Sequence, residues 1–197
     1  MVRIDQADNI DQVWMLHQAF VNAPFQMQPD RRLILQGELV RVTPKPSSTK
    51  HYSLLSLDAL KSMASDTRKS DWLVILFSDV LLYVQPRQEA KRTVLVYREH
   101  MSLQHAKVRT VPRSEVGLPY CFEVTSSFTG FDSLSATAVA SPRAHILQTK
   151  SDEEQEDWVY HLSIIITELT KDLEARTRQR TGSTQTDRSN TSHSSSS

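Results

Sequence analysis

The sequence predicts a mainly β domain of about seven strands, opened by one helix and closed by another. Three observations carry this reading. The stretch from Trp72 to Pro86 holds two apolar runs, Trp-Leu-Val-Ile-Leu-Phe and Val-Leu-Leu-Tyr-Val, on either side of Ser78-Asp79. β-branched and aromatic residues dominate and a polar pair falls in the middle. The stretch therefore reads as two buried antiparallel strands joined by a tight turn, with Asp79 beside the reversal and Pro86 ending the second strand. Shorter runs of the same kind recur on both sides of this hairpin. Finally, Ser151-Asp-Glu-Glu154 opens a long segment in which Trp158, Leu162, Ile165, Ile166, Leu169 and Leu173 share one helical face.

In order, residues 9–22 read as a helix whose apolar face is Ile10, Val13, Trp14, His17, Phe20 and Val21, with Pro24 and Pro29 marking a linker over 23–30. Residues 33–42 form the first strand, with Gly37 expected to mark a bend or bulge. The insertion at about 43–70 starts with Pro44-Lys-Pro46. It contains Leu54, Leu57, Leu60 and Met63 near helical spacing, a patch suited to a partner, a membrane or the domain itself. After the hairpin, Gln85–Arg92 reads as a polar loop. Thr93–Tyr97, Ala106–Val111, Tyr120–Thr125 and Ala144–Thr149 read as strands. Residues 126–143 form a Ser/Thr/Ala-rich connection carrying Phe128 and Phe131. In the closing helix the Ser151 side chain caps the first turn and Glu154 returns the bond, while the acidic start suits the helix dipole. From 176 to 197 there is no apolar residue, and a disordered tail is expected.

Composition narrows the function classes. The chain has 23 basic and 23 acidic residues, so its net charge is zero, which argues against a nucleic-acid partner because phosphate neutralisation needs a basic excess. The zero hides an asymmetry: residues 26–150 carry about six more basic than acidic groups, and 151–175 about seven more acidic than basic. The single cysteine, Cys121, lies in an apolar run and reads as a buried hydrophobe. Asp5, Asp8 and Asp11 stand where a secretory signal would be apolar, and no apolar run reaches the length of a membrane span. A soluble cytoplasmic protein, peripheral at membranes, is the expectation. The seven histidines are scattered without metal-ligand spacing, and there is no glycine-rich phosphate loop among only four glycines. No catalytic site, metal or cofactor is expected.

The succession of elements, with Gly37-Glu-Leu39-Val-Arg41 opening, Leu76-Phe-Ser-Asp79-Val-Leu-Leu-Tyr83 central and Trp158 in the last helix, resembles a pleckstrin-homology domain. Arg31-Arg32-Leu-Ile-Leu-Gln-Gly-Glu-Leu and Leu-Phe-Ser-Asp-Val-Leu-Leu-Tyr narrow the resemblance. They are similar to the version that follows the catalytic domain in Dbl-family Rho guanine-nucleotide exchange factors. The match covers about 31–175. It implies a strongly bent seven-stranded sheet whose open corner is plugged by the C-terminal helix, and it makes 1–30 the end of an exchange domain plus its linker. The catalytic helices of such an exchange domain would lie before residue 9 and are not among these residues. A non-catalytic regulatory or targeting module linked to a Rho-family GTPase or an exchange-factor domain is implied.

The resemblance also implies a lipid site on the loops between the first and second, third and fourth, and sixth and seventh strands. Polyphosphorylated headgroups need several convergent cations. Arg41 matches the basic residue expected near the end of the first strand. Before the second strand, Lys69-Ser-Asp71 places a carboxylate where the family's lipid binders have an arginine, which weakens a specific pocket. Lys45, Lys50, Arg68, Arg87, Lys91 and Arg92 remain as a diffuse basic rim. Such a rim attracts anionic lipid by about 1 kcal/mol per well-placed charge. The alternative is a protein-interaction scaffold of the same fold without useful lipid affinity.

Overall fold

The two runs flanking Ser78-Asp79 form the paired centre of a computed structural model that describes residues 6–21, 31–42, 71–90, 92–132, 137–139 and 141–183. In chain order the elements are α1 (Gln6–Ala19), β1 (Phe20–Val21), β2 (Leu33–Val42), β3 (Asp71–Phe77), β4 (Val80–Glu89), β5 (Arg92–Ser102) and β6 (Ala106–Val111). They continue with α2 (Arg113–Val116), β7 (Cys121–Ser126), β8 (Gly130–Asp132), β9 (Thr137–Val139), β10 (Arg143–Gln148) and α3 (Asp152–Ser183). One bent, unclosed sheet runs in the order β1-β5-β4-β3-β2-β10-β7-β6, and β8 with β9 makes a separate hairpin.

The central hairpin shows no period-two alternation because both of its faces are covered. Val74, Leu76, Leu81 and Tyr83 face the concave side, where they meet Leu39, Met101, Phe122, Val124, Leu147, Trp158 and Leu162. Ile75, Phe77, Val80, Leu82 and Val84 face the other side and pack with Leu95 and with Val13 of α1, beside Leu16, Ala19 and Phe20. The turn is fastened from outside the hairpin. Asp79 accepts two bonds from Arg31, at 2.8 Å from Nε and 2.6 Å from Nη2, while Ser78 and Arg32 exchange bonds of 2.9 and 3.2 Å. Arg31 is buried and also lies over the Phe77 ring, 6.0 Å from its centroid.

The plug forms as the sequence implies. Trp158 and Leu162 are buried, and Trp158 stacks on Phe122 with 6.2 Å between ring centroids. Gly37 is what lets the indole reach β2: a Cβ there would lie 3.3 Å from Trp158 Cζ2. Gly37 marks this close approach, whereas the register shift of β2 falls between Leu33 and Leu35. At the helix start the Glu154 amide donates to Ser151 Oγ, and the Glu154 carboxylate accepts from the Lys150 amide. Cys121 is buried, as expected.

Several expectations are corrected. Pro86 does not end β4, which runs to Glu89 and turns tightly through Ala90 at φ 48°, so Gln85–Arg92 is largely paired strand rather than loop. Pro86 lies past Val84, the last residue of β4 paired to β3, so its missing amide breaks no ladder on that side. Beyond Tyr97, β5 continues through Arg98-Glu99-His100 to Ser102. The 126–143 connection contains the β8–β9 hairpin. In α1, Val13 is buried but Ile10 and Trp14 are exposed, and Phe20-Val21 leave the helix to pair in parallel with Leu95-Val96. Helix α3 continues to Ser183 past the expected end at 175. Alanine, arginine and glutamine favour helix there, the Thr177 hydroxyl bonds the Leu173 carbonyl, and Glu174 pairs with Arg178. The 23–30 linker and the Leu54–Met63 patch lie outside the described residues. No described helix is long and apolar enough to cross a membrane.

Candidate functional site

On β2, Gly37, Leu39 and Arg41 alternate onto the concave face. Gly37 lies against Trp158 and Leu39 is fully buried. Arg41, further along the strand and partly exposed, meets Glu99 of β5, with Nη1 2.5 Å from Oε1. Two strands, β3 and β4, separate these partners in the sheet. Neighbouring strands lie about 4.8 Å apart, so a flat sheet would hold β2 and β5 about 14 Å apart, and the bend brings the side chains together.

Behind this pair stands His145 of β10, buried, with Nε2 3.5 Å from the same Glu99 oxygen. Its ring meets Tyr83 edge-on at 4.7 Å. Neither His145 Nδ1 nor the Tyr83 hydroxyl has a hydrogen-bond partner, although both are buried. Burial, with the positive charges of Arg41 and Arg143 adding to it, pushes the His145 imidazole down to about 4. Glu99 offsets this little, because its carboxylate is already held by Arg41. Burial likewise raises the Tyr83 phenol, with the Glu99 charge a secondary cause, so this tyrosine stays protonated.

A second polar group adjoins the first. His100 of β5 is buried between Tyr97, whose hydroxyl lies 2.6 Å from Nδ1, and Asp132 of β8, which meets Nε2. All three groups are satisfied when Nε2–H donates to Asp132 and Nδ1 accepts from Tyr97. Arg143 donates to the His100 carbonyl at 3.0 Å. These contacts pin the β8–β9 hairpin to β5. The cavity between them, lined by His100, Asp132 and Arg143, measures about 10 Å³, room for one water at most. No group of three or more metal-ligating side chains occurs among the described residues. The arrangement suits charge pairing at an open mouth rather than chemistry on an enclosed substrate.

Of the sequence-derived cations, Arg41 sits inside the mouth. Arg87 and Arg92 are exposed on the β4–β5 hairpin, Arg87 being 3.9 Å from Glu89 and Arg92 opposite Glu89. Arg87 pairs with Val94, five residues from Glu99 along β5, or about 17 Å, so Arg87 does not converge with Arg41. Lys45, Lys50, Arg68, Lys69 and Lys91 lie outside the described residues. The backbone of Asp71 begins β3, opposite Val40. Glu99, His145 and Arg143 are missed by sequence reasoning. The only signal for the first is the charged interruption Arg98-Glu99-His100 in an otherwise apolar strand.

The comparisons agree with this architecture. The PH domain family model matches residues 33–167. No curated protein matches. Among solved structures, the complex of PDZ-RhoGEF DH/PH domains with GTP-γ-S-activated RhoA is similar at 13% identity and TM-score 0.56. It is matched over 84% of this chain and 41% of its own. The ternary complex of human RhoA, its inhibitor and the DH/PH domain of human ARHGEF11 gives TM-score 0.52 at 13% identity, with the same coverage. The linker-DH/PH domains of p115-RhoGEF give 0.51 at 13%, over 83% of this chain and 40% of that one. The chain thus spans about two fifths of the length of these neighbours, and the likeness is one of fold. Since the PH model covers most of its length and the bent sheet with its helical plug is present, the chain belongs to the PH-domain family.

Proposed function

We propose that this PH domain is a non-catalytic regulatory and targeting module of Rho signalling that associates weakly with anionic membranes. The observation that carries the membrane part is the state of Arg41. The cation best placed for a headgroup is held at 2.5 Å by Glu99, and the described rim cations Arg87 and Arg92 lie together on the β4–β5 hairpin, away from Arg41. Attraction then comes from separate surface charges and is screened by salt. The Rho connection rests on the DH/PH neighbours, and residues 1–30 are read as the end of a helical exchange unit with its linker. Co-sedimentation with neutral, phosphatidylserine and phosphoinositide vesicles tests the membrane part. Weak binding to anionic vesicles at low salt, erased near physiological salt, is expected. Absence of binding to any vesicle at low salt overturns it.

The second reading, a protein-interaction scaffold, is favoured by one observation. Ile10, Trp14 and Met15 on the outward side of α1 are 61%, 55% and 70% exposed. Such a patch suits a protein partner. Substituting Trp14→Ser separates the readings, because it leaves vesicle binding unchanged and weakens capture of an exchange-factor domain.

A further inference from the structure

We propose that the outer edge of β6 docks an extended segment of a partner protein, alternately apolar and acidic, which joins the sheet as a ninth strand beside α3. In the eight-stranded sheet β6 is terminal, and among the described residues it pairs only with β7. The Ser127 amide donates to the His105 carbonyl, so in this antiparallel ladder His105, Lys107, Arg109 and Val111 turn their main-chain groups to β7. The amides and carbonyls of Val108 and Thr110 point the other way and meet no hydrogen-bond partner among the described residues. Pro112 has no amide to offer and ends this row. Two residues therefore present four groups to an antiparallel segment. The edge stands at the opposite end of the strand order from β1 and depends on neither reading above.

The two sides of this edge differ in chemistry. Helix α3 runs alongside β6 in the opposite direction. Near its start Gln155 donates to the Cys121 carbonyl, opposite Val111, and further on Thr170 and Leu173 line an open cleft of about 410 Å³ with His105. Glu154 lies against Gly37 of β2, so the other flank of the helix looks towards β6. That flank, Val159, Ser163, Ile166 and Thr170, carries no charge, and its two hydroxyls are turned back onto the Val159 and Ile166 carbonyls. On the sheet's outer side Lys107 is exposed and has no ion-pair partner among the described residues, whereas Arg109 already holds Glu115 and Glu123. A matching strand places apolar side chains towards α3 and a carboxylate opposite Lys107. The cleft beside His105 accepts a larger apolar side chain at the C-terminal end of that strand.

Amide exchange followed by NMR on the full chain tests this, with the acetylated and amidated peptide Val-Glu-Val-Glu-Phe as the probe. In the free protein the Val108 and Thr110 amides should exchange at least about tenfold faster than those of Lys107 and Arg109. Equally slow exchange at all four means that the edge is already covered, by this chain or a second copy, and overturns the proposal. Added peptide should slow exchange at Val108 and Thr110 and shift their resonances, saturating below about 1 mM. No change at that concentration overturns it. The peptide Val-Lys-Val-Lys-Phe should bind about fivefold more weakly, and equal binding overturns the acidic occupant. Thr110→Pro removes an outward amide that the fold does not use and should abolish binding, so undiminished binding in this variant overturns the proposal. If circular dichroism shows Thr110→Pro unfolded, the first peptide with its central valine N-methylated decides on the wild type: binding should be lost, and retained binding overturns strand addition.

Discussion

Acid should loosen this domain through His145 before it does so through most carboxylates. The imidazole is 4% exposed against Tyr83 and Glu99, and its burial, with the positive charges of Arg41 and Arg143 adding to it, holds its folded value at about 4 against an ordinary 6.5. A histidine whose folded value is depressed is neutral in the native state and protonates first in the unfolded chain. Its contribution is therefore complete above pH 6.5 and falls away as the pH drops from 6.5 towards 4. Across the full window the loss is about 3 kcal/mol, and about 2 kcal/mol of it is spent by pH 5. Urea unfolding of the wild type and of His145→Phe at pH 7.5, 6 and 5 measures it. Phenylalanine keeps the edge contact with Tyr83 and cannot titrate. The wild type should lose about 2 kcal/mol more than the variant between pH 7.5 and 5. Equal losses in the two proteins would refute the reasoning and would mean that Glu99 stabilises the imidazolium enough to cancel its burial.

Asp79→Ala leaves the buried Arg31 guanidinium without its bidentate partner and should cost about 3 kcal/mol in urea unfolding; a loss below 1 kcal/mol contradicts the turn's fastening. Gly37→Ala presses a methyl against the Trp158 indole and should cost about 1 kcal/mol, and Gly37→Val more, with a blue or red shift in tryptophan emission marking the displaced ring. Tyr83→Phe removes a buried hydroxyl that has no partner, so stability should hold or rise by about 1 kcal/mol; a clear loss would reveal a partner for that hydroxyl. Asp132→Ala should release the β8–β9 hairpin, seen as faster amide exchange in Gly130–Asp132 and Thr137–Val139 with little change in exchange across β3 and β4.

Local pattern made the hairpin, the capped helix and its Trp158 stripe legible, because each is set by neighbours in sequence: turn residues, a cap, a 3.6-residue spacing. Arg41 was singled out only through the family resemblance, as the basic residue near the end of the first strand. Its partner was not. Arg41 and Glu99 are 58 residues apart and meet across two intervening strands, a contact fixed by curvature, which no alternation pattern records. The covering of the hairpin's second face was hidden for a related reason. Period-two reading identifies one buried face, and a strand buried on both leaves no alternation to read. In α1 the spacing found a helix but chose too broad an apolar face, since contact with a sheet needs only the narrow row of Val13, Leu16 and Ala19. Pro86 misled because a proline ends a strand only where its amide would have been used.

The layer formed by α1 and β1 bears on where this molecule can be cut. The family pattern begins at residue 33, yet Val13 and Phe20 cover Ile75, Phe77, Leu82 and Leu95, and Arg31 holds the turn. A fragment starting at residue 33 would carry every strand of the family and still present a greasy, unguarded outer wall beside an orphaned Asp79. Such a fragment is expected to clump on expression, whereas one starting at residue 6 stays dispersed. The unit that related sequences share and the unit that survives alone in water then begin at different residues.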